Sequence, residues 1–131
     1  MYNGYISDAK IKATLANHGN VVSFLSNEKL KCSLGTTVTT PKMGRDCKPN
    51  RSVCSPSTDV TWFAIIYAKS FRCDMANAFD SSDGFTYYAN AVPTKVGRMN
   101  IGTNRSTNTI TFRTRWGVGS NEVKVSTYTA E

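Results

Sequence analysis

The sequence predicts an α+β fold in which a long N-terminal helix and a second helix pack on an antiparallel β-meander. Three observations carry that expectation. Residues 2–34 place apolar side chains at helical spacing, residues 59–79 repeat an amphipathic helical pattern, and from Phe85 onward the apolar period drops to two. The 131 residues suffice for one domain with a single core, and no internal repeat or linker divides them.

In the first helix, Ile11, Leu15, His18, Val22 and Leu25 form one stripe at alternating spacings of four and three, continued by Cys32. Tyr2, Ile6, Ala9, Ala13 and Phe24 lie on a different face. Gly19, between Asn17 and Asn20, weakens the middle, and Gly35 is the expected C-cap. About 28 residues of such a helix are about 42 Å long, longer than a compact domain of this size is wide. One stripe serves the domain's own core; the other calls for a different partner.

Residues 36–58 are rich in Thr, Ser, Lys and Pro (Pro41, Pro49, Pro56) and read as an irregular connector. In the second helix Val60, Phe63, Ala64, Tyr67, Phe71 and Met75 recur at i, i+3, i+4 spacing, with Ser57 or Asp59 as N-cap. Trp62, Ile65 and Ile66 make it apolar nearly all round, so a buried strand within this run is the alternative. Residues 85–131 then read as four strands, "FTYYANAV", "KVGRMNIG", "NTITFRTRW" and "EVKVSTYT", separated by turns at Pro93, "GTNRSTN" and "GVGSN". Ile110, Phe112 and Trp116 face one side of the third strand; Thr111, Arg113 and Arg115 face the other. Val123 and Val125 alternate with Lys124 and Ser126 in the last. One sheet face is expected on the core and one in water.

The cysteines are Cys32, Cys47, Cys54 and Cys73. None is in C-x-x-C spacing and His18 is the only histidine, which argues against a zinc site and for two disulfides formed in an oxidising compartment. Of the three connectivities, Cys47–Cys54 with Cys32–Cys73 is favoured, because the first pair would staple the turn-rich "CKPNRSVC". No signal peptide and no run of 18 apolar residues is present, so a targeting segment removed from the chain is the expectation.

Sixteen Lys and Arg against nine Asp and Glu give a formal charge of +7, which favours an anionic partner or a solvated basic surface. The candidates for nucleic-acid binding are Lys95, Arg98, Arg105, Arg113, Arg115 and Lys124, interleaved with Tyr87, Tyr88, Phe112 and Trp116 as stacking platforms. Catalysis is not expected. His18 sits on an apolar stripe and reads as a partly buried structural histidine, while Asp80 and Asp83 in "DSSDG" read as turn chemistry. No hydrolase, zincin or phosphate-loop motif occurs, and no cofactor or metal is implied.

"MYNGYISDAKIKATL", with Tyr2 and Tyr5, followed by "NHGNVVSFLSNEKLKCSLG", resembles the spine helix of type IV pilins where it turns from apolar to amphipathic. The later course of connector, helix, four strands and disulfides is similar to Gram-negative bacterial pilins. The resemblance implies a structural subunit that self-assembles into an extracellular filament for motility, adhesion or DNA uptake. Its partners would be other subunits, the inner-membrane assembly machinery and, in an uptake system, DNA. It implies an apolar half-helix before Tyr2 that anchors the full-length form in the inner membrane, with the headgroup in the periplasm, until assembly. Tyr2, Tyr5, Ile6, Ala9 and Ala13 would then form the subunit interface. The family's prepilin cleavage site, methylated first residue and assembly-guiding glutamate lie outside this sequence. A disulfide near the C-terminus is common in pilins, whereas here every cysteine lies at or before Cys73. The alternatives are a secreted basic nuclease or toxin domain, and a DNA-binding pilin of an uptake system.

Overall fold

The structure, a computed structural model, describes residues 2–34, 42–43, 47–49 and 60–129, with side chains for 8–32, 34, 47 and 60–129. The chain is α+β. Helix α1 (Tyr2–Ser33) precedes the two-residue strands β1 (Lys42–Met43) and β2 (Lys48–Pro49) and helix α2 (Val60–Asp74). Strands β3 (Ala76–Asn77), β4 (Asp80–Gly84), β5 (Thr86–Tyr88), β6 (Met99–Asn104), β7 (Thr109–Arg115) and β8 (Val123–Thr129) follow. Strands β1–β2 and β3–β4 are antiparallel pairs, and the main sheet has the order β5-β6-β7-β8.

Both helices pack on this main sheet, α2 over β5, β6 and β7, and α1 over β7 and β8. Alternation builds the buried face: Ile110, Phe112 and Thr114 of β7 are fully covered, as β-branched and aromatic residues at period two require. Met99 and Ile101 of β6 pair with Thr114 and Phe112 and so share that face. Against them lie Phe63 and Tyr67 of α2, Val21 and Leu25 of α1, and Phe85. Burying each such side chain contributes roughly 1.5–3 kcal/mol, so this layer holds the helices in place. Strand β1 also packs against α2, yet its apolar girth is only partly covered: Ile66 is buried while Trp62 is 50 % exposed.

The sheet departs from the expected antiparallel meander at its first pair. Strands β5 and β6 run parallel, with Thr86 opposite Met99 and Tyr88 opposite Ile101. The segment with Pro93 is therefore a crossover, not a hairpin turn. It covers the outer face of β6, where Asn100 donates to the Ala91 carbonyl at 3.1 Å. The crossover rejoins the sheet at Gly97, whose φ is +88°. A Cβ there would lie 1.9 Å from Asn77 Oδ1, so both conformation and space demand glycine. Gly97→Ala is expected to lower stability by about 2 kcal/mol, read as a shift in urea midpoint at constant m-value; no shift would show that the crossover adjusts freely.

Four further expectations change. Helix α2 ends at Asp74 rather than near 79, because the Asn77 side chain, 1 % exposed, is spent on one local turn bond and one tertiary bond. It accepts from Phe79 N (2.8 Å) and donates to the Val96 carbonyl (2.9 Å). The connector holds the β1–β2 pair, and "DSSDG" is strand β4 paired with β3. The favoured disulfide pairing is overturned: Cys47 is bonded to Cys73, their Cα atoms 5.7 Å apart. With β1 packed on α2, Cys47 meets the end of that helix rather than its neighbour in sequence. Cys32 is also disulfide-bonded; Cys54, the expected caps Ser57 and Asp59, and Gly35 lie outside the described residues.

Candidate functional site

The buried stripe of α1 is Thr14, His18, Val21, Leu25 and Glu28. It keeps the expected spacing of four and three but is rotated by part of a turn, leaving Ile11, Leu15 and Val22 half-buried. The polar members explain the rotation. Thr14 returns its hydroxyl to the Lys10 carbonyl at 2.8 Å. His18 Nδ1 lies 2.6 Å from Thr114 Oγ1 and Nε2 lies 2.8 Å from Ser126 Oγ. One ring nitrogen donates and the other accepts, and hydroxyls serve either role, so neutral imidazole is fully satisfied while only 3 % exposed. Burial, and secondarily the charge of Lys124, lower its pKa from 6.5 to about 4. His18 thus bolts α1 to β7 and β8 and is poorly placed to act on a substrate.

The bolt also turns β8 over relative to the sequence expectation. Ser126 pairs with Phe112 and Lys124 with Thr114, which puts both on the helix-facing side and sends Val123 and Val125 outward with Arg113 and Arg115. Val125 is 53 % exposed. Further along, Phe24 meets the rings of Tyr67 and Phe71 edge-on, at centroid distances of 5.9 and 5.6 Å. It therefore belongs to the α1–α2 contact rather than to a free face. Burial, with Glu28 nearby, pushes the Tyr67 hydroxyl well above its ordinary range.

Ala9 and Ala13 are exposed, as are Ala16, Asn20, Ser23 and Asn27. At 100° per residue these lie on the flank of α1 away from the sheet, so its described part presents small side chains outward. Tyr2, Tyr5 and Ile6 belong to α1, but their side chains lie outside the described residues.

The six basic candidates do not converge on one patch. Lys95 binds Asp80 at 2.7 Å and Asp83 at 3.5 Å, and Arg98 binds both oxygens of Asp83 at 3.1 and 3.2 Å. Arg115 donates to the carbonyls of Pro93 (2.6 Å), Gly117 (3.3 Å) and Gly119 (3.1 Å), stitching the crossover to the β7–β8 turn. Arg105 donates to Thr61 Oγ1 at 3.1 Å. Lys124 lies on the opposite sheet face from Arg113, because its pair is Thr114. Among the described residues Arg113 makes no ion pair or hydrogen bond, and its Nη1 is sealed from solvent without an acceptor.

Asp80 and Asp83 form the acidic half of this network, with Lys95 and Arg98 each 15 residues after its carboxylate; no local period signals such a pairing. Asp83 also accepts from Tyr87 Oη at 2.5 Å and from Asn77 Nδ2 at 3.3 Å. The Tyr87 ring carries the Arg98 guanidinium 4.0 Å from its centroid and that of Arg72 at 4.8 Å. Burial alone would raise the Asp83 pKa, but the bonds from Tyr87, Arg98 and Asn77 and the Arg98 charge overcome it and hold the carboxyl far below the usual range. The hydrogen bonds from Lys95 and Ser82 hold Asp80 at about 2, and the bond to Asp80 raises Lys95 in turn. Carboxylates this acidic are poor proton shuttles near neutrality. The adjoining cleft of about 300 Å³, lined by Arg72, Met75, Ser81 and Asp83 among others, opens beside this network, in which Arg98 Nε is sealed from solvent without an acceptor.

Among the described residues no group of three potential metal ligands converges, and no helix is long and apolar enough to cross a membrane. No protein-family model, curated protein or solved structure matches the chain.

Proposed function

We propose that this chain is the headgroup of a type IV pilin, a structural subunit that polymerises into an extracellular filament. The observation that carries the reading is the two-faced α1: a helix of 32 residues with one flank locked onto β7, β8 and α2 and the other lined by Ala9, Ala13 and Ala16 in solvent. Small side chains let a second helix approach closely, and a helical spine repeated head to tail gives an open filament rather than a closed ring. The face formed by Tyr2, Tyr5, Ile6, Ala9 and Ala13 meets neighbouring subunits in this reading. The full-length form would wait in the inner membrane, headgroup in the periplasm, for the assembly machinery. An exported site also suits disulfide bonding.

The test is Ala13→Glu in the full-length protein. Ala13 is exposed, so the headgroup's stability is expected to stay within about 0.5 kcal/mol of the parent. Filaments seen by electron microscopy should disappear. Normal filaments from a stable Ala13→Glu protein would overturn the assignment of this face.

A further inference from the structure

The hydrogen-bond phase of the sheet identifies what β8 offers to solvent. Trp116 N donates to the Glu122 carbonyl at 3.0 Å, and Arg115 N donates to the Arg98 carbonyl at 3.1 Å. In antiparallel ladders bonded pairs alternate with unbonded ones. Pairs 114/124, 112/126 and 110/128 therefore bond β7 to β8, and pairs 113/125, 111/127 and 109/129 do not. Val123, Val125, Thr127 and Thr129 consequently direct their N–H and C=O groups away from β7, along an edge to which no described strand is paired.

This edge lacks the usual protection. Natural edges carry charges, prolines or bulges that deter strand addition. "VKVSTYT" has no proline and a regular register, and its one charge, Lys124, is on the helix-facing side. The outward side carries half-exposed Val125 and, directly opposite it in an unbonded pair, Arg113. Side chains approach most closely in such pairs. A guanidinium with no counter-ion, partly sealed from water, is unfavourable until an anion meets it.

We infer that the β8 edge receives an extended, carboxylate-bearing segment of a partner protein as a fifth strand of the sheet. The backbone groups of Val123, Val125, Thr127 and Thr129 supply the ladder, Val125 supplies an apolar contact, and Arg113 reads one acidic side chain across it. Two strand spacings, about 10 Å, separate β7 from the incoming chain. Arg113 and a glutamate reaching toward each other over a valine close that gap. Charge favours this occupant over a second copy, because two chains of +7 would bring two unpaired Arg113 side chains to one seam. This inference does not depend on the pilin reading.

The probe is a blocked seven-residue peptide alternating threonine and valine around one central glutamate, titrated into the whole chain by NMR. The expected result is perturbation and exchange protection of the Val123, Val125, Thr127 and Thr129 amides. Arg113→Gln should weaken binding about tenfold, and a glutamine-centred peptide should bind the parent equally weakly, with no further loss when the two changes are combined. Val125→Lys, an exposed substitution that charges the edge, should abolish binding without unfolding the domain. Three outcomes would overturn the proposal: no perturbation at millimolar peptide, perturbation centred away from β8, or equal affinity of both peptides for the parent. Self-association through β8 without peptide, abolished by Val125→Lys, would make the edge a homotypic interface and overturn it as well.

Discussion

Replacing Cys47 and Cys73 together by serine is expected to lower the unfolding free energy by about 3.5 kcal/mol, read from urea denaturation of the oxidised parent and the variant. The two residues are 26 apart, and closing a loop of that length removes about this much chain entropy from the unfolded state. In the chain-entropy account the effect resides in the denatured ensemble, and the m-value should rise as that ensemble expands. A loss below about 1 kcal/mol would show that the unfolded loop is already confined. The second bridge, at Cys32, is the natural agent of such confinement. Removing both bridges would then cost more than the sum of the separate losses.

The second large effect is a dependence on pH. His18 titrates near 4 in the folded chain against 6.5 when exposed, so the unfolded state binds the proton first as the solution is acidified. Stability from this residue is therefore complete above pH 6.5 and falls as pH drops from 6.5 to 4. The total loss is on the order of 2–3 kcal/mol. Asp80 and Asp83 have depressed values, so their contribution is present above pH 4 and is lost only below it. The two windows separate the two causes. His18→Gln retains a donor and an acceptor but not the titration, and its stability is expected to be flat between pH 6.5 and 4. An equal slope in parent and variant would assign the dependence to other groups.

Both effects arise where local pattern and tertiary structure disagree. The helices were legible because a 3.6-residue period leaves a stripe that any core must cover; Phe63, Ala64, Tyr67 and Phe71 are buried as their spacing requires. The orientation of the stripe on α1 was not legible. Apolarity alone favours Ile11 and Leu15, whereas the bonds of His18 to Thr114 and Ser126 select the neighbouring angle. For β8, period two revealed the strand but not which parity faces inward. Apolarity alone favours the valines inward, whereas Ser126 faces the helix and meets the imidazole. The parallel β5–β6 pair was hidden because Pro93 is equally at home in a hairpin turn or a crossover. Only Gly97, pressed against Asn77, records the choice. Cys47–Cys73 was hidden because proximity in sequence says nothing of a strand folded back on α2. Among the basic residues, composition counted charges correctly but could not show that Lys95, Arg98 and Arg115 are committed internally while Arg113 is not.

The bolt through His18 joins residues 96 and 108 positions apart in sequence, and this orders events on the ribosome. Helix α1 emerges before the sheet, yet its buried stripe has no seat until β7 and β8 exist. At about 5–20 residues per second, the hundred or so residues between them take roughly 5–20 s to translate. Throughout that interval Val21 and Leu25 have only solvent or a holding chaperone to cover them. Strands β7 and β8, not helix α1, commit the domain to fold.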